Sequence, residues 1–184
     1  MKNLVIILFS IFLLQTCKKS NSKRDFTKLT NEKNGNTTKT IYKEGKLITT
    51  EIFDKSGHLN SKYMYSNGVL VKIYQYYSNK KVNSYSYLHK SPNHYITKVY
   101  YKNGKVSNEG EGDFFKNKAL FLRTGLWIFY SKTGEPFSVY TFTHDGKNQY
   151  IKGEMLFDTI KKKIIKDVIY NPPFLGHYPT KCVS

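Results

Sequence analysis

Acidic residues and cysteines are scarce in this 184-residue chain. The sequence has 13 Asp and Glu against 30 Lys and Arg, and its formal net charge is +17. Such a balance favours an anionic partner, such as a membrane surface, an anionic glycan or lipid, nucleic acid or an acidic protein. The alternative is a solvated lysine surface without a partner. The two cysteines, Cys17 and Cys182, exclude a disulfide framework and leave a Cys17–Cys182 bridge as the single pairing.

Long apolar segments are also missing, except for residues 4–14 near the N-terminus. This run is too short for a transmembrane helix, which needs about 20 apolar residues, but it suits the core of a signal peptide. The sequence "LLQTC" at residues 13–17 follows directly and resembles a bacterial lipobox. We therefore expect residues 1–16 to be a lipoprotein signal peptide and Cys17 to carry the lipid, which would exclude the bridge to Cys182. An ordinary signal peptide or an uncleaved anchor is the alternative.

Residues 17–38 have almost no apolar content. Such a segment cannot bury enough surface to offset its ordering entropy, so we expect a flexible tether between the membrane and the folded domain. Lys18, where an Asp would favour retention at the inner membrane, favours the outer membrane by resemblance to known sorting rules. The expected address is an outer-membrane lipoprotein that faces the periplasm rather than the cell surface. This address argues against nucleic acid as a natural partner.

No helical stripe of apolar residues is present before residue 155, whereas turn signals recur about every 11 to 13 residues. The predicted turns centre on Gly45, Gly57, Gly68, Asn79, Pro92, Gly104, Asn117, Gly134 and Gly146, with an extra turn at Gly125. The segments between them are rich in Tyr, Phe, Val, Ile and Thr, which favour strands. Regular spacing of this kind indicates a repeat architecture.

The predicted fold is all-β, an elongated antiparallel β-meander of repeated hairpins that forms mostly a single sheet. The hairpin domain is expected to cover residues 39–170. The end of this domain, residues 155–170, fits either two strands or a helix, and the turn rhythm favours strands. Residues 171–184 are expected to form an irregular C-terminal tail.

The second half of the chain carries an ordered set of motifs. "YYKNGKVSNEGEGDFFKN" at residues 100–117 precedes "RTGLWIFYSKTGEPFSVYTFTHDGK" at residues 123–147. They resemble the MORN-variant repeats of the YwqK-type antitoxin family. The matching residues are Tyr101, Gly104, Lys105, Val106, Glu109, Gly110, Gly125, Trp127, Tyr130 and Gly134, and Gly146 follows at the next turn. The resemblance covers about residues 40–150, and it implies a MORN-like meander, no catalysis and a protein-binding role.

Catalytic and metal-binding motifs are absent from the sequence. The histidines are scattered, and no Gly-rich loop precedes a helix, so we expect no cofactor and no metal site. Glu109, Glu111 and Asp113 alternate and would share one face of a strand. Residues two apart on a strand lie about 7 Å from each other, within the range that inverting glycosidases use. Calcium binding by the row and pairing with lysines on neighbouring strands are the alternatives, and we expect the protein not to be an enzyme.

Tyrosine is the most informative residue type, with 16 in the chain. A thin meander cannot bury both faces, so some tyrosines should be exposed beside lysines. We expect a candidate binding face formed by Tyr85, Tyr87, Tyr95 and Tyr101, because tyrosine is enriched at protein-binding hot spots. A protein partner is the first expectation, and an anionic glycan or lipid headgroup is the alternative. Cross-strand packing that only stabilises the sheet would also explain these residues.

Overall fold

Short strands joined by turns account for nearly all of residues 24–176, the part of the chain that the computed structural model describes. The strands are β1 (Phe26–Asn31), β2 (Thr37–Lys43), β3 (Lys46–Phe53), β4 (Leu59–Ser66), β5 (Val69–Tyr76), β6 (Val82–Lys90), β7 (His94–Tyr100), β8 (Val106–Phe115), β9 (Leu120–Tyr130), β10 (Pro136–His144), β11 (Gln149–Asp158) and β12 (Lys163–Leu175). All 12 lie in one sheet in chain order, and neighbours pair antiparallel. The predicted all-β meander is confirmed.

The turns lie where the sequence predicts them. All nine regularly spaced turn residues, from Gly45 to Gly146, connect consecutive strands. The two-residue connections use positive φ at both positions, with Glu44 at 50° and Gly45 at 70°, and Asn67 at 49° and Gly68 at 81°. Such turns match the right-handed twist of the strands on either side.

Alternate connections repeat one hydrogen-bonding pattern. In each connection, the first residue donates its backbone N–H to the carbonyl of the fifth residue. The fourth residue donates its N–H to the carbonyl of the first residue. The five connections are Glu32–Asn36, Asp54–His58, Tyr77–Lys81, Tyr101–Lys105 and Ser131–Glu135. They lie at the same edge of the sheet because each is separated from the next by two antiparallel strands. We call them the repeated-turn edge.

The predicted extra turn at Gly125 is wrong. Gly125 lies inside β9, with a φ of 63°. Gly110 pairs with Trp127 while the next residue, Glu111, pairs with Thr124, so Gly125 and its neighbour Leu126 form a bulge. A glycine with positive φ serves a bulge as well as a turn, and the sequence alone does not separate the two.

The ends of the sheet differ from the predicted boundaries. β1 and the start of β2 lie within residues 17–38, so the expected tether is wrong from Phe26 onward. Backbone pairing extends the sheet there although every residue of β1 is exposed. At the other end, residues 155–170 belong to two strands joined by a turn at residues 159–162, as favoured, but β12 continues to Leu175 rather than stopping near residue 171. Cys17, Cys182 and the last residues of the expected tail lie outside the described range.

The hydrophobic core lies on one face of the sheet. One row of directly paired residues crosses from β3 to β9: Thr50, Tyr63, Ile73, Ser86, Thr97, Gly110 and Trp127. We call this side the core face. Its buried side chains form two clusters: Trp127, Phe129, Phe142 and Ile151, and Leu70, Ile73 and Tyr95. Phe121 packs against both clusters and joins them into one core.

Candidate binding surfaces

The face opposite the core carries a continuous row of tyrosines and charged residues. Directly paired residues share a face of a sheet. The row across β2 to β8 is Lys39, Glu51, Lys62, Tyr74, Tyr85, Lys98 and Glu109. Tyr87 stands two residues from Tyr85 on the same strand and therefore on the same side. We call this surface, centred on Tyr74, Tyr85 and Tyr87, the tyrosine face.

The tyrosine rings of this face contact one another. The ring centroids of Tyr74 and Tyr85 are 4.8 Å apart, those of Tyr85 and Tyr87 are 5.9 Å apart, and those of Tyr74 and Tyr76 are 6.3 Å apart. All four side chains are half-buried. Burial is the main cause that raises the pKa of Tyr76 and Tyr85 above the usual value. The rings therefore form a neutral, ordered aromatic patch with one side toward solvent.

The charges beside this patch are mostly paired across the strands. Glu51 accepts from Lys62 at 3.1 Å and lies 3.6 Å from Lys39, and Glu109 lies 2.9 Å from Lys98. The Tyr130 hydroxyl also donates to Glu109 at 2.7 Å. These hydrogen bonds, first from Tyr130 and then from Lys98, lower the pKa of Glu109. Most charges of the tyrosine face are therefore paired, although the exposed Lys72 lies directly opposite Tyr87 and has no acidic partner among residues 24–176.

The structure does not place the four predicted binding tyrosines on one face. Tyr85 and Tyr87 lie on the tyrosine face, whereas Tyr95 pairs with Leu88 and Gly112 on the core face. Tyr95 is 2% exposed and donates its hydroxyl to the carbonyl of Leu70 at 2.7 Å. It is a core residue and not a surface residue, because the register between β6 and β7 turns it inward.

The fourth tyrosine, Tyr101, begins a connection at the repeated-turn edge. Its hydroxyl donates to the carbonyl of Tyr130 at 2.6 Å, which ties two adjacent turns together. The remaining motif glycines Gly104, Gly134 and Gly146 all lie in turns with positive φ. In the described part of the chain, these motif residues form the turns or the hydrogen bonds between turns.

Gly110 and Gly112 make room for aromatic rings on the core face. A Cβ on Gly110 would lie 2.5 Å from the Trp127 ring, and one on Gly112 would lie 2.5 Å from Phe121. The indole N–H of Trp127 donates to the carbonyl of Glu111 at 2.7 Å. The close spacing of these glycines therefore reflects ring packing, as a strand glycine often does.

The other two carboxylates of β8 bind histidines. Asp113 contacts Nδ1 of His94 at 2.8 Å and Nε2 of His144 at 3.1 Å, while Glu111 contacts Nε2 of His94 at 3.1 Å. Sequence spacing did not indicate this cluster, because His94 and His144 come from separate strands. Among residues 24–176 there is no group of three or more His, Cys, Asp or Glu with the geometry of a metal site. Each carboxylate of the predicted row thus has a basic partner on β7, and Glu111 and Asp113 share His94.

A groove on the core face was not predicted from the sequence. It has a volume of about 410 Å³, and its lining includes Gln75, Ser86, Thr97, Arg123 and Trp127. The Arg123 guanidinium lies 4.6 Å from the Trp127 ring centroid. Ser86 and Thr97 share a hydrogen bond of 2.8 Å in the floor. The alternation of Ser84, Ser86 and the tyrosines in β6 was the one available signal for a polar strip on this side.

Comparison with known proteins leaves the function open. No protein-family model matches the sequence, and no curated protein matches it. Among solved structures, the chain is similar to a mutant of S. aureus TarM in complex with Fondaparinux, alpha-GlcNAc-glycerol and UDP, with 13% identity over 77% of this chain and a TM-score of 0.27. The similarity spans 21% of the TarM chain.

Two further solved structures are similar over most of their length. A DUF3836 family protein from Parabacteroides distasonis shares 14% identity over 80% of this chain and 91% of that one, with a TM-score of 0.14. A protein with unknown function from Bacteroides fragilis shares 15% identity over 82% of this chain and 94% of that one, with a TM-score of 0.18. TM-scores this low support no statement about the function of the present chain. No helix within residues 24–176 has the length and apolar character to cross a membrane.

Proposed function

We propose that this protein is a lipid-anchored, non-catalytic binding module of the bacterial cell envelope, which holds a protein partner on its tyrosine face. The observation that carries the proposal is the ordered patch of Tyr74, Tyr85 and Tyr87. Tyrosine is enriched at protein-binding hot spots because its ring offers a large contact area and its hydroxyl a polar group. The resemblance to MORN-variant antitoxin repeats supports a partner of this kind, such as a toxin that the module neutralises.

The physical state of the patch supports protein binding. The rings already stack on one another, so these tyrosine side chains would lose little conformational entropy when a partner binds. Lys62 and Lys98 beside the patch are paired with Glu51 and Glu109. Binding there would depend mainly on apolar contact and specific hydrogen bonds, and it would respond weakly to salt.

The anchor and the address rest on the N-terminal sequence pattern. In this proposal residues 1–16 are removed, the lipid on Cys17 inserts in the outer membrane, and the sheet faces the periplasm. The sheet would then reach partners near the membrane surface without crossing it.

The test is a pull-down from envelopes of the parent cell. The full chain, with a C-terminal tag, is expressed as wild type, as the double variant Tyr85→Ala/Tyr87→Ala, and as the control Tyr150→Ala in β11. We expect one protein to co-purify in a stoichiometric amount with the wild type and the control, at low and high salt. Replacing both tyrosines should lower the affinity by at least about 30-fold, the effect of losing a single hot-spot contribution of about 2 kcal/mol.

The thermal unfolding midpoint of each variant separates lost binding from lost folding. If the double variant stays folded and still retains the same protein, the tyrosine face is not the binding surface. If only salt-labile glycan or lipid co-purifies with the wild type, the protein-partner proposal is wrong.

A further inference from the structure

Part of the positive charge of the chain forms a line on a surface other than the tyrosine face. Exposed lysines occupy the repeated-turn edge in each of its five connections: Lys33, Lys55, Lys80, Lys81, Lys102, Lys105 and Lys132. Successive connections are two strands apart, or about 10 Å at the usual spacing of strands in a sheet. The edge is therefore a line of cations with a regular repeat.

The lysines in the centre of this line are held in place by neutral groups. The ammonium of Lys81 donates to the carbonyl of Lys102 at 3.1 Å, and that of Lys105 donates to the carbonyl of Thr133 at 2.7 Å. Each bond joins one turn to the next. Because these acceptors are uncharged, they do not offset the positive charge of the ammonium groups, whereas carboxylates offset that of Lys62 and Lys98 on the tyrosine face.

Acidic residues do not offset these central cations. The connections Tyr77–Lys81 and Tyr101–Lys105 contain no Asp or Glu. At the flanking turns, Asp54 caps its own turn by accepting from the backbone N–H of Ser56 and His58. Glu135 pairs with Lys162 at 2.8 Å. The centre of the edge is therefore the most positive part of the line.

Two tyrosine rings are fixed between these lysines. An open depression of about 460 Å³ is lined by Tyr77, Tyr101, Lys102, Asn103 and Lys132. Tyr77 donates its hydroxyl to the carbonyl of Tyr100 at 2.6 Å, as Tyr101 does one turn later to that of Tyr130. The ammonium of Lys102 lies 5.9 Å from the Tyr77 ring centroid. The site thus combines ordered aromatic rings with cations on either side.

We propose that the centre of the repeated-turn edge binds a linear anionic glycan. The apolar face of a sugar ring would pack on Tyr77 or Tyr101, and its carboxylate or phosphodiester groups would pair with Lys80, Lys102 and Lys132. A spacing of about 10 Å between turns fits a polymer with widely spaced charges. A nucleic acid strand has a charge about every 3.4 Å and fits the spacing less well. This inference uses a different surface from the proposed protein partner and does not depend on it.

The test measures binding of the full chain to hyaluronan oligosaccharides, a linear glycan with one carboxylate per disaccharide. The variant is Lys80→Gln/Lys102→Gln/Lys132→Gln. The control is Lys46→Gln/Lys90→Gln/Lys152→Gln, which removes the same charge from exposed lysines that lie away from this edge. We expect the edge variant to bind at least about 10-fold more weakly than the control, and its affinity to depend less steeply on salt. Thermal unfolding midpoints should be equal for the two variants.

Several results would overturn the proposal. Equal weakening by both triple variants would mean that net charge alone attracts the glycan. Tighter binding to oligodeoxythymidine, or to phosphatidylglycerol vesicles, than to hyaluronan would assign the edge to another class of polyanion. Binding of neutral dextran with equal affinity, or no binding of hyaluronan at millimolar concentration, would exclude the edge as an anionic-glycan site.

Discussion

At the scale of the residue, two strand glycines determine how the core packs. The sheet has no helix layer over its core face in the described range, so large rings must cover the backbone themselves. Trp127 lies directly against Gly110, and Phe121 lies against Gly112. The absence of a side chain at these positions is what allows Trp127 to be 1% exposed in a single sheet.

Gly110→Ala should therefore destabilise the protein by about 1 to 3 kcal/mol, the usual range for overpacking a core. The control is Gly153→Ala in β11, where a Cβ would lie 3.4 Å from its nearest neighbour, an ordinary contact. Chemical denaturation of both variants gives the comparison. Equal stability of the two variants would contradict the proposed contact between Gly110 and Trp127.

The buried hydroxyl of Tyr95 gives a prediction for alkaline pH. Burial raises the pKa of Tyr95 to about 12. Because the folded state keeps this proton when the unfolded chain loses it, the free energy of unfolding should fall as the pH rises from 10 to 12. A shift of this size corresponds to roughly 3 kcal/mol.

Tyr95→Phe should be less stable at neutral pH by about 1 kcal/mol, because the Leu70 carbonyl loses its donor. Between pH 10 and 12, however, its stability should fall less than that of the wild type. Urea denaturation at several pH values measures both effects. Parallel curves for the two proteins would show that Tyr95 does not cause the alkaline loss.

At the scale of the element, the positions of the turns could be predicted from the sequence. Which side chains share a face of the sheet could not be predicted. Asn-Gly and Asp-Gly signals locate turns because they reflect a local requirement of the backbone for positive φ. Which tyrosines share a face depends on the register between strands, and each bulge shifts that register by one or two residues. Tyr95 was therefore misplaced, while Tyr85 and Tyr87 were correctly put together because they lie on one strand.

Local composition also led to an incorrect prediction of where the sheet begins. β1 is polar and exposed, so its sequence resembles a tether, and only its pairing with β2 makes it a strand. Likewise, the clusters around Asp113 and Lys102 join residues that are distant in sequence. Nothing in the spacing of single residues indicates such contacts.

A sheet in which each strand contacts mainly its neighbours should open from its ends. We expect the backbone amides of β1 to exchange hydrogen at least about 100-fold faster than those of β9, which holds Trp127 and Phe129. Hydrogen exchange followed by mass spectrometry resolves this gradient. Protection that is uniform within tenfold across the strands would instead indicate a single cooperative unit.

At the scale of the whole molecule, the two proposed partners belong to two surfaces. The tyrosine face has paired charges and ordered rings, whereas the repeated-turn edge has lysines bonded to neutral carbonyls. A protein partner and an anionic glycan could therefore bind together. Net charge alone, at +17, would not have separated these surfaces.

The lipid anchor gives a prediction for the complete chain. If Cys17 is lipidated, Cys17→Ser should move the protein from the membrane fraction to the soluble fraction of the envelope. Mass spectrometry of the wild type should then show an acylated N-terminus at Cys17. A Cys182→Ser variant is the control and should stay with the membrane. Membrane retention of Cys17→Ser would contradict the lipid anchor.

The most direct test of the central claim is photocrosslinking in living cells. The photoreactive residue p-benzoylphenylalanine replaces Tyr87 on the tyrosine face or, as a control, Gln75. Gln75 is exposed but lies on the core face, one residue from Tyr74. If the tyrosine face binds the partner, position 87 should crosslink to one envelope protein and position 75 should not crosslink to that protein. Crosslinks from position 75 alone, or the same crosslinks from both positions, would contradict binding by the tyrosine face.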